Sequence, residues 1–262
     1  MNSVFWLWLS LALIAVLVLV IYSIRWHRSP IVAVTSESTI DKLMPSLSGI
    51  TLSTSVEGNT VDVLENGAFY DVLVDRILAA QKSVHFETFL WKPGKLADRL
   101  ADAFMVRARA GVPVRILLDA QGSKTIEKDK VDRLREAGCK VQFFHKRSLY
   151  TIGVLNDRDH RKICIVDGME AFVGGHCITD DWLGDAEDHQ HNSDVSVWLH
   201  GPIVHSIQGA FSENWAGETG ELFVGDEYFP VLHKVGHISI HAAFAKPENS
   251  APAVKILHHT AL

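Results

Sequence analysis

The chain has 262 residues, of which 47% are hydrophobic and 21% charged, and a formal net charge of −6. That balance excludes a disordered chain, and the negative charge excludes sequence-blind binding to nucleic acid or anionic lipid through a broad basic surface. Three cysteines without a CxxC pair and fourteen histidines without HExxH or paired ligand spacing indicate neither a disulfide scaffold nor a structural zinc site, so neither metal nor cofactor is expected.

Residues 4–22, VFWLWLSLALIAVLVLVIY, carry no charge. As a helix they reach about 28 Å, close to the hydrocarbon thickness of a bilayer. No basic residue precedes the run and no small-x-small site follows it, so it reads as a retained anchor rather than a cleaved signal. Trp6, Trp8, Tyr22 and Trp26 stand near its ends as interfacial aromatics, and Arg25 and Arg28 follow it. The positive flank places the body of the protein on the cytoplasmic side of the cell membrane, with residues 1–28 as a single-pass transmembrane anchor.

Residues 29–57 are rich in Ser and Thr and read as a linker with room for one short helix. Structure proper is expected near Val61. NGAFYDVLVDRILAAQKS places Phe69, Val72, Leu73, Ile77 and Ala80 at helical spacing, and SVHFETFLW then alternates as a strand. The pattern repeats: KLADRLADAFMVRARAG is a helix, VPVRILLD a strand, IEKDKVDRLREAG a helix and KVQFFH a strand. KRSLYTIGVLND is a loop, HRKICIV a strand, and Asp167-Gly168 a tight turn into a partner strand, MEAFVGG. DVSVWLHG is a further strand, and Pro202 opens a last helix. Strands alternating with helices of this length predict an α/β domain, a layered sheet flanked by helices.

Within HRKICIV, side chains two apart on a strand share a face, so His160 and Lys162 project together while Arg161, Ile163 and Ile165 face the other way. An imidazole beside an ammonium suits phosphate esters. The first can attack phosphorus, and the second offsets charge building on the non-bridging oxygens. Taken alone, His-x-Lys on a strand is more often a polar edge.

The whole spacing says more. His160, Lys162 and Asp167 spell H-x-K-x4-D, followed by Gly174-Gly175. This resembles the signature of the phospholipase D superfamily. VHFETFLW, RILLDAQGS, LNDRDHRKICIVDGMEAFVGG, HGPIVHSIQGAFSENW and TGELFVGDEYFP extend the resemblance to the first half of bacterial cardiolipin synthase-type members. The resemblance implies a mixed central sheet flanked by helices over residues 58–232, and a metal-free phosphohistidine route on a phosphatidylglycerol-like phospholipid. Nucleic acid is not the expected partner.

By the same resemblance His160 is the phosphorylated or acid/base histidine and Lys162 binds phosphate. Asp167 is a motif position whose plainer reading is a turn residue and hydrogen-bond acceptor. Asp194 is the carboxylate that would hold the far nitrogen of the histidine, with a solvated strand-start aspartate as the alternative. Gly174, Gly175 and residue 177 would border the substrate.

Two departures stand out. Cys177 occupies the place of an asparagine amide, and a thiol is a weak donor. Family chemistry also needs two such histidines, whereas this chain holds one H-x-K-x4-D. Residues 233–262 look like the beginning of an incomplete second half. Three expectations follow: a first half whose other motif lies elsewhere, a homodimeric single-motif phosphodiesterase or nuclease in which two His160 residues meet, or a non-catalytic membrane-bound remnant. The abrupt end favours the first.

Overall fold

The computed structural model describes residues 3–26, 39–145 and 158–244, in two units: residues 1–53 with 243–262, and Thr54–Ala242. The first contains α1, Ser3–Trp26, and α2, Ile40–Thr51. Ser3–Ser23 is the one helix among the described residues long and apolar enough to cross a membrane. The expected short helix of the linker is α2. The expected loop over KRSLYTIGVLND lies outside the described residues.

In the second unit, β1 is Ser55–Glu65, α3 Ala68–Ala79, β2 Val84–Thr88, α4 Lys95–Arg109 and β3 Val114–Asp119. Then follow α5, Lys128–Glu136, β4, Lys140–Phe144, β5, Ile163–Val166, and β6, Glu170–Gly174. Last come β7, Val195–His200, α6, Val204–Thr219, and β8, Ile238–His241. The eight strands form one mixed sheet in the order β4-β3-β2-β5-β6-β7-β1-β8. β2, β3 and β4 are parallel, and every other pairing is antiparallel.

Helices cover both faces. Leu73 and Ile77 of α3, Leu100 and Phe104 of α4 and Leu134 of α5 pack on Val84, Phe86, Ile116 and Cys164. Ile207, Phe211 and Trp215 of α6 pack on Leu117, Ile163, Ile165 and Leu199 from the other side. With both faces covered, β2, β3 and β5 are buried throughout, including the polar His85, Glu87 and Thr88 of β2.

Three expectations shift. β1 was read as linker up to residue 57, but its bulge between Val56 and Asn59 breaks the alternation that would have announced it. Asn59 is fully buried there and holds the bulge, donating to the Val56 carbonyl at 2.7 Å and accepting from the Ile203 N–H at 2.9 Å. β8, from the stretch expected to open a second half, pairs with β1 and completes this sheet. The motif strand begins at Ile163, so His160 and Lys162 stand just before it. The Asp167-Gly168 turn is as expected, with φ of 57° and 67° at its two central residues.

The α6 face also buries a histidine. His85 packs against the rings of Phe211 and Phe223, each centroid at 4.9 Å, and its Nδ1 lies 3.0 Å from Gln208 Oε1. Burial, with the nearby Arg115, pushes its pKa down to about 3 against the Gln208 hydrogen bond. A histidine depressed in the folded state stabilises it above the ordinary histidine pKa, and that stability is lost as pH falls from about 6.5 toward the folded value. His85→Gln is expected to unfold more easily than wild type at pH 7.5, yet to lose less stability between pH 6.5 and 4. Urea midpoints across that range read the difference.

Candidate active site

Strand polarity gathers the motif residues at one edge of the sheet. Glu87 of β2 pairs with Ile163, and Gly174 pairs with Ser196. The end of β2, the entry to β5, the end of β6 and the entry to β7 therefore share an edge. The end of β3 lies there too, because β3 runs parallel to β2. In layered α/β sheets the carboxyl ends of parallel strands are the usual ligand crevice.

His160 and Lys162 meet there as their spacing predicts. Lys162 Nζ lies 3.1 Å from His160 Nδ1 and donates to the His160 carbonyl oxygen at 2.8 Å. Arg161 points to the other face, where it donates to the Ala210 carbonyl at 2.8 Å. Phe89, just past β2, forms a platform for both side chains: its ring centroid is 4.7 Å from that of His160 and 5.4 Å from Lys162 Nζ. Partial burial and the Lys162 charge pull the His160 pKa below the usual histidine value, against the Asp159 and Asp119 carboxylates. Burial likewise lowers that of Lys162.

Asp119, at the end of β3, holds the entry segment. Its Oδ1 accepts the N–H groups of Gln121 and Gly122, and its Oδ2 that of Asp159 at 2.9 Å. Glu87 is fully buried, accepts from Asn214 Nδ2 at 2.6 Å, and is pushed well above the carboxylate range by burial and by Asp159. Phe89, Asp119, Asp159 and Glu87 were not singled out from the sequence. The available signal was an acidic residue inside or closing an otherwise apolar buried strand.

Asp167, grouped with the catalytic residues by its motif position, sits at the opposite edge. Its carboxylate accepts the backbone N–H groups of Gln81, Lys82 and Ser83, tying the α3–β2 connection to the β5–β6 turn. The intervening strand keeps it from His160, and its hydrogen bonds are those of a turn residue.

Asp194 reaches the site edge, but the structure joins it to Trp182 rather than to His160: Oδ2 accepts from Trp182 Nε1 at 3.2 Å. The two glycines explain how it fits. A Cβ on Gly175 would strike the Asp194 carboxylate, and one on Gly174 the Ser196 side chain. Their visible contribution is thus room for β7. Cys177 is buried, its Sγ facing the Gly175 carbonyl oxygen at 3.8 Å and its own carbonyl accepting from Tyr70 Oη at 2.5 Å. Burial raises its thiol pKa and the Lys162 charge lowers it, so the thiol lies within the electrostatic reach of that lysine. Among the described residues no three His, Cys, Asp or Glu side chains converge as metal ligands.

Residues 73–215 match the family described as "Cardiolipin synthase, PLD-like domain". The chain is 33% identical over 203 residues to the major cardiolipin synthase of Bacillus subtilis, covering 76% of this chain and 42% of that protein. It is 30% identical over 221 residues to cardiolipin synthase 2 of Bacillus anthracis, covering 83% and 42%. A phosphatidylserine synthase structure from Haemophilus influenzae superposes with a TM-score of 0.49 at 14% identity, over 64% of this chain and 40% of that one. This chain therefore spans about two fifths of the length of the two Bacillus proteins.

Two measurements test this geometry. Asp167→Ala strands three backbone donors and is expected to cost about 1–3 kcal/mol of stability by urea unfolding. It should leave the His160 imidazole titration unchanged by NMR. Lys162→Met removes a charge that depresses His160, so the His160 pKa should rise in the same titration.

Proposed function

Because the chain belongs to the cardiolipin synthase family of phospholipase D-like domains, we propose that it is a membrane-anchored half-site for phosphatidyl transfer, acting on a phosphatidylglycerol-like phospholipid. The observation that carries this is the convergence of His160 and Lys162 on the Phe89 ring at the exposed edge of the sheet. His160 supplies the nucleophile: an imidazole nitrogen attacks phosphorus, the P–O bond to the leaving alcohol breaks, and that alcohol takes up a proton. An acceptor hydroxyl then attacks phosphorus, the P–N bond breaks, and the hydroxyl proton passes to a base. With glycerol of a second phosphatidylglycerol as acceptor the product is cardiolipin; with water it is phosphatidic acid. The acid and base are the role of a second histidine, from a second motif or a second copy of the chain.

In this arrangement the Lys162 ammonium donates toward Nδ1, which leaves the proton of the neutral imidazole on Nε2. Attack through Nε2 requires the lysine to leave Nδ1 first. Substrate phosphate provides the cause. The ammonium's present partners, the Phe89 ring, Nδ1 and the His160 carbonyl, are all uncharged, whereas a phosphate oxygen is an anionic acceptor and makes the stronger hydrogen bond. Phosphate therefore draws the ammonium toward itself and frees Nδ1. Asp194 is the carboxylate at the same edge suited to receive a proton placed there. Arg25 and Arg28, following the apolar helix, support a cytoplasmic site that meets lipid at the bilayer surface.

Cys177 favours a second reading, a non-catalytic anchored module, since a thiol turned toward the Gly175 carbonyl offers little to phosphate.

The test is lipid mass spectrometry on phosphatidylglycerol vesicles carrying the full chain, alongside cross-linking. Cardiolipin or phosphatidic acid is expected only from the cross-linkable dimer or when a second motif is supplied in trans. His160→Ala should abolish it, and Lys162→Met should lower it on the order of 10²-fold or more. Product that persists in His160→Ala would sink the proposal, as would the lack of both lipid product and phosphohistidine with a second motif present. Degradation of single-stranded DNA without lipid turnover would mark a nuclease instead.

A further inference from the structure

His160 is exposed, yet the chain is held on both sides of it. Both neighbours turn to the α6 side of the sheet. Arg161 donates to the Ala210 carbonyl at 2.8 Å, and its guanidinium stands 3.7 Å from the Glu213 carboxylate. Asp159, only 3% exposed, is fixed through its backbone N–H, which donates to Asp119 Oδ2 at 2.9 Å. Its side-chain Oδ1 accepts the Arg161 N–H at 3.2 Å, and its carboxyl is hydrogen-bonded to that of Glu87 on β2.

Two ionised carboxylates cannot make that bond, because neither has a donor and like charges in contact repel. One proton resolves both problems, and the surroundings decide which group carries it. Glu87 is fully buried, and its Oε1 accepts from Asn214 Nδ2 at 2.6 Å. Burial and then Asp159 push its pKa well above the carboxylate range, opposed by Arg161 and the Asn214 bond. Asp159 accepts a backbone N–H and adds negative charge beside His160, as an ionised group does. Around the pair stand Arg161 with Glu213 of α6, Asp119 of β3, His160 itself and, two residues back on β2, His85. With a pKa of about 3, His85 carries no charge at pH 7.

We propose that Glu87 and Asp159 share a single proton, the Glu87 O–H donating to the Asp159 carboxylate, and that this bond positions His160 against the Phe89 ring. Glu87 is then a positioning residue, acting through Asp159. One strand end supplies both the anchor, Glu87, and, two residues on, the platform, Phe89. The shared proton stands independently of any reaction, whereas its bearing on phosphatidyl transfer rests on the reading of His160 as the nucleophile.

Infrared spectra of the full chain in detergent at pH 7 are expected to show the carbonyl band of a protonated carboxylic acid, absent from Glu87→Gln. In Asp159→Asn, which removes the neighbouring charge, that band should titrate away at lower pH than in wild type. No such band in wild type, or one that titrates alike in both, overturns the shared proton. A carboxyl whose pKa is raised by folding stabilises the folded state fully below the ordinary glutamate value, about 4.3, and loses that contribution as pH rises toward the folded value. Glu87→Gln, whose amide can donate to Asp159 at every pH, should therefore lose less of its urea midpoint than wild type between pH 5 and 8. An equal or greater loss also overturns the proposal. For the positioning role, NMR contacts between the His160 and Phe89 rings should persist in Glu87→Gln and vanish in Glu87→Leu and in Asp159→Ala, which break the bond from either side. The Phe172–Trp198 stack reports an intact fold in each variant. Ring contacts that survive in a folded Glu87→Leu or Asp159→Ala refute the positioning role. A wild type that keeps the contacts but forms no phosphohistidine with a second motif present refutes the nucleophile reading of His160 instead, and the shared proton is judged by the spectra alone.

Discussion

The antiparallel pairing of β2 with β5 at the centre of the sheet is the constraint on which the site depends. It sets Glu87 against Ile163, so the residues just beyond β2 and those just before β5 are forced to the same edge. Phe89 thereby comes under His160 and Lys162. β6 and β7 follow by antiparallel pairing and return Gly174 to Cys177 and Asp194 to that edge. A slip of one residue would turn Lys162 toward α6 and Arg161 toward the Phe89 side, exchanging a compact ammonium for a guanidinium beside His160.

The electrostatics at this edge are built by uneven burial. At the rim, partial burial and then the Lys162 charge lower the His160 pKa, while the fully buried Glu87 is pushed well above the carboxylate range by burial and by Asp159. β2 thus carries a buried carboxyl group on the α6 side, and the basic pair stands beside it at the entry to β5. Asp119 and Asp159 attract positive charge to the rim without contacting Lys162 through any hydrogen bond described above. Asp194, which would fix the imidazole tautomer, is engaged by Trp182. The arrangement resembles a resting site, in which each group has a partner that substrate must replace.

Departures from the family pattern cluster on one segment. The glycine pair keeps its steric purpose, admitting Asp194 and Ser196, but His176 and Cys177 follow it. One is a buried imidazole stacked on Phe69, the other a buried thiol beside the Lys162 field.

Short-range patterns along the chain carry the order of helices and strands from α3 to α6 and the tight turn at Asp167, whereas His160 and Lys162 meet just before β5 rather than on it. Such patterns fail at β1, where a bulge and a buried Asn59 break the alternation, and at β8, whose four residues carry too short a pattern. Asp167 looked catalytic only from its motif position, and its place at the far edge follows from the length of β5. Phe89, Asp119, Glu87 and His176 depend on contacts between segments tens of residues apart, which no local pattern encodes. Only the tertiary structure decided those, because packing across the sheet, not spacing along the chain, sets which polar groups share a cavity and which charges feel one another.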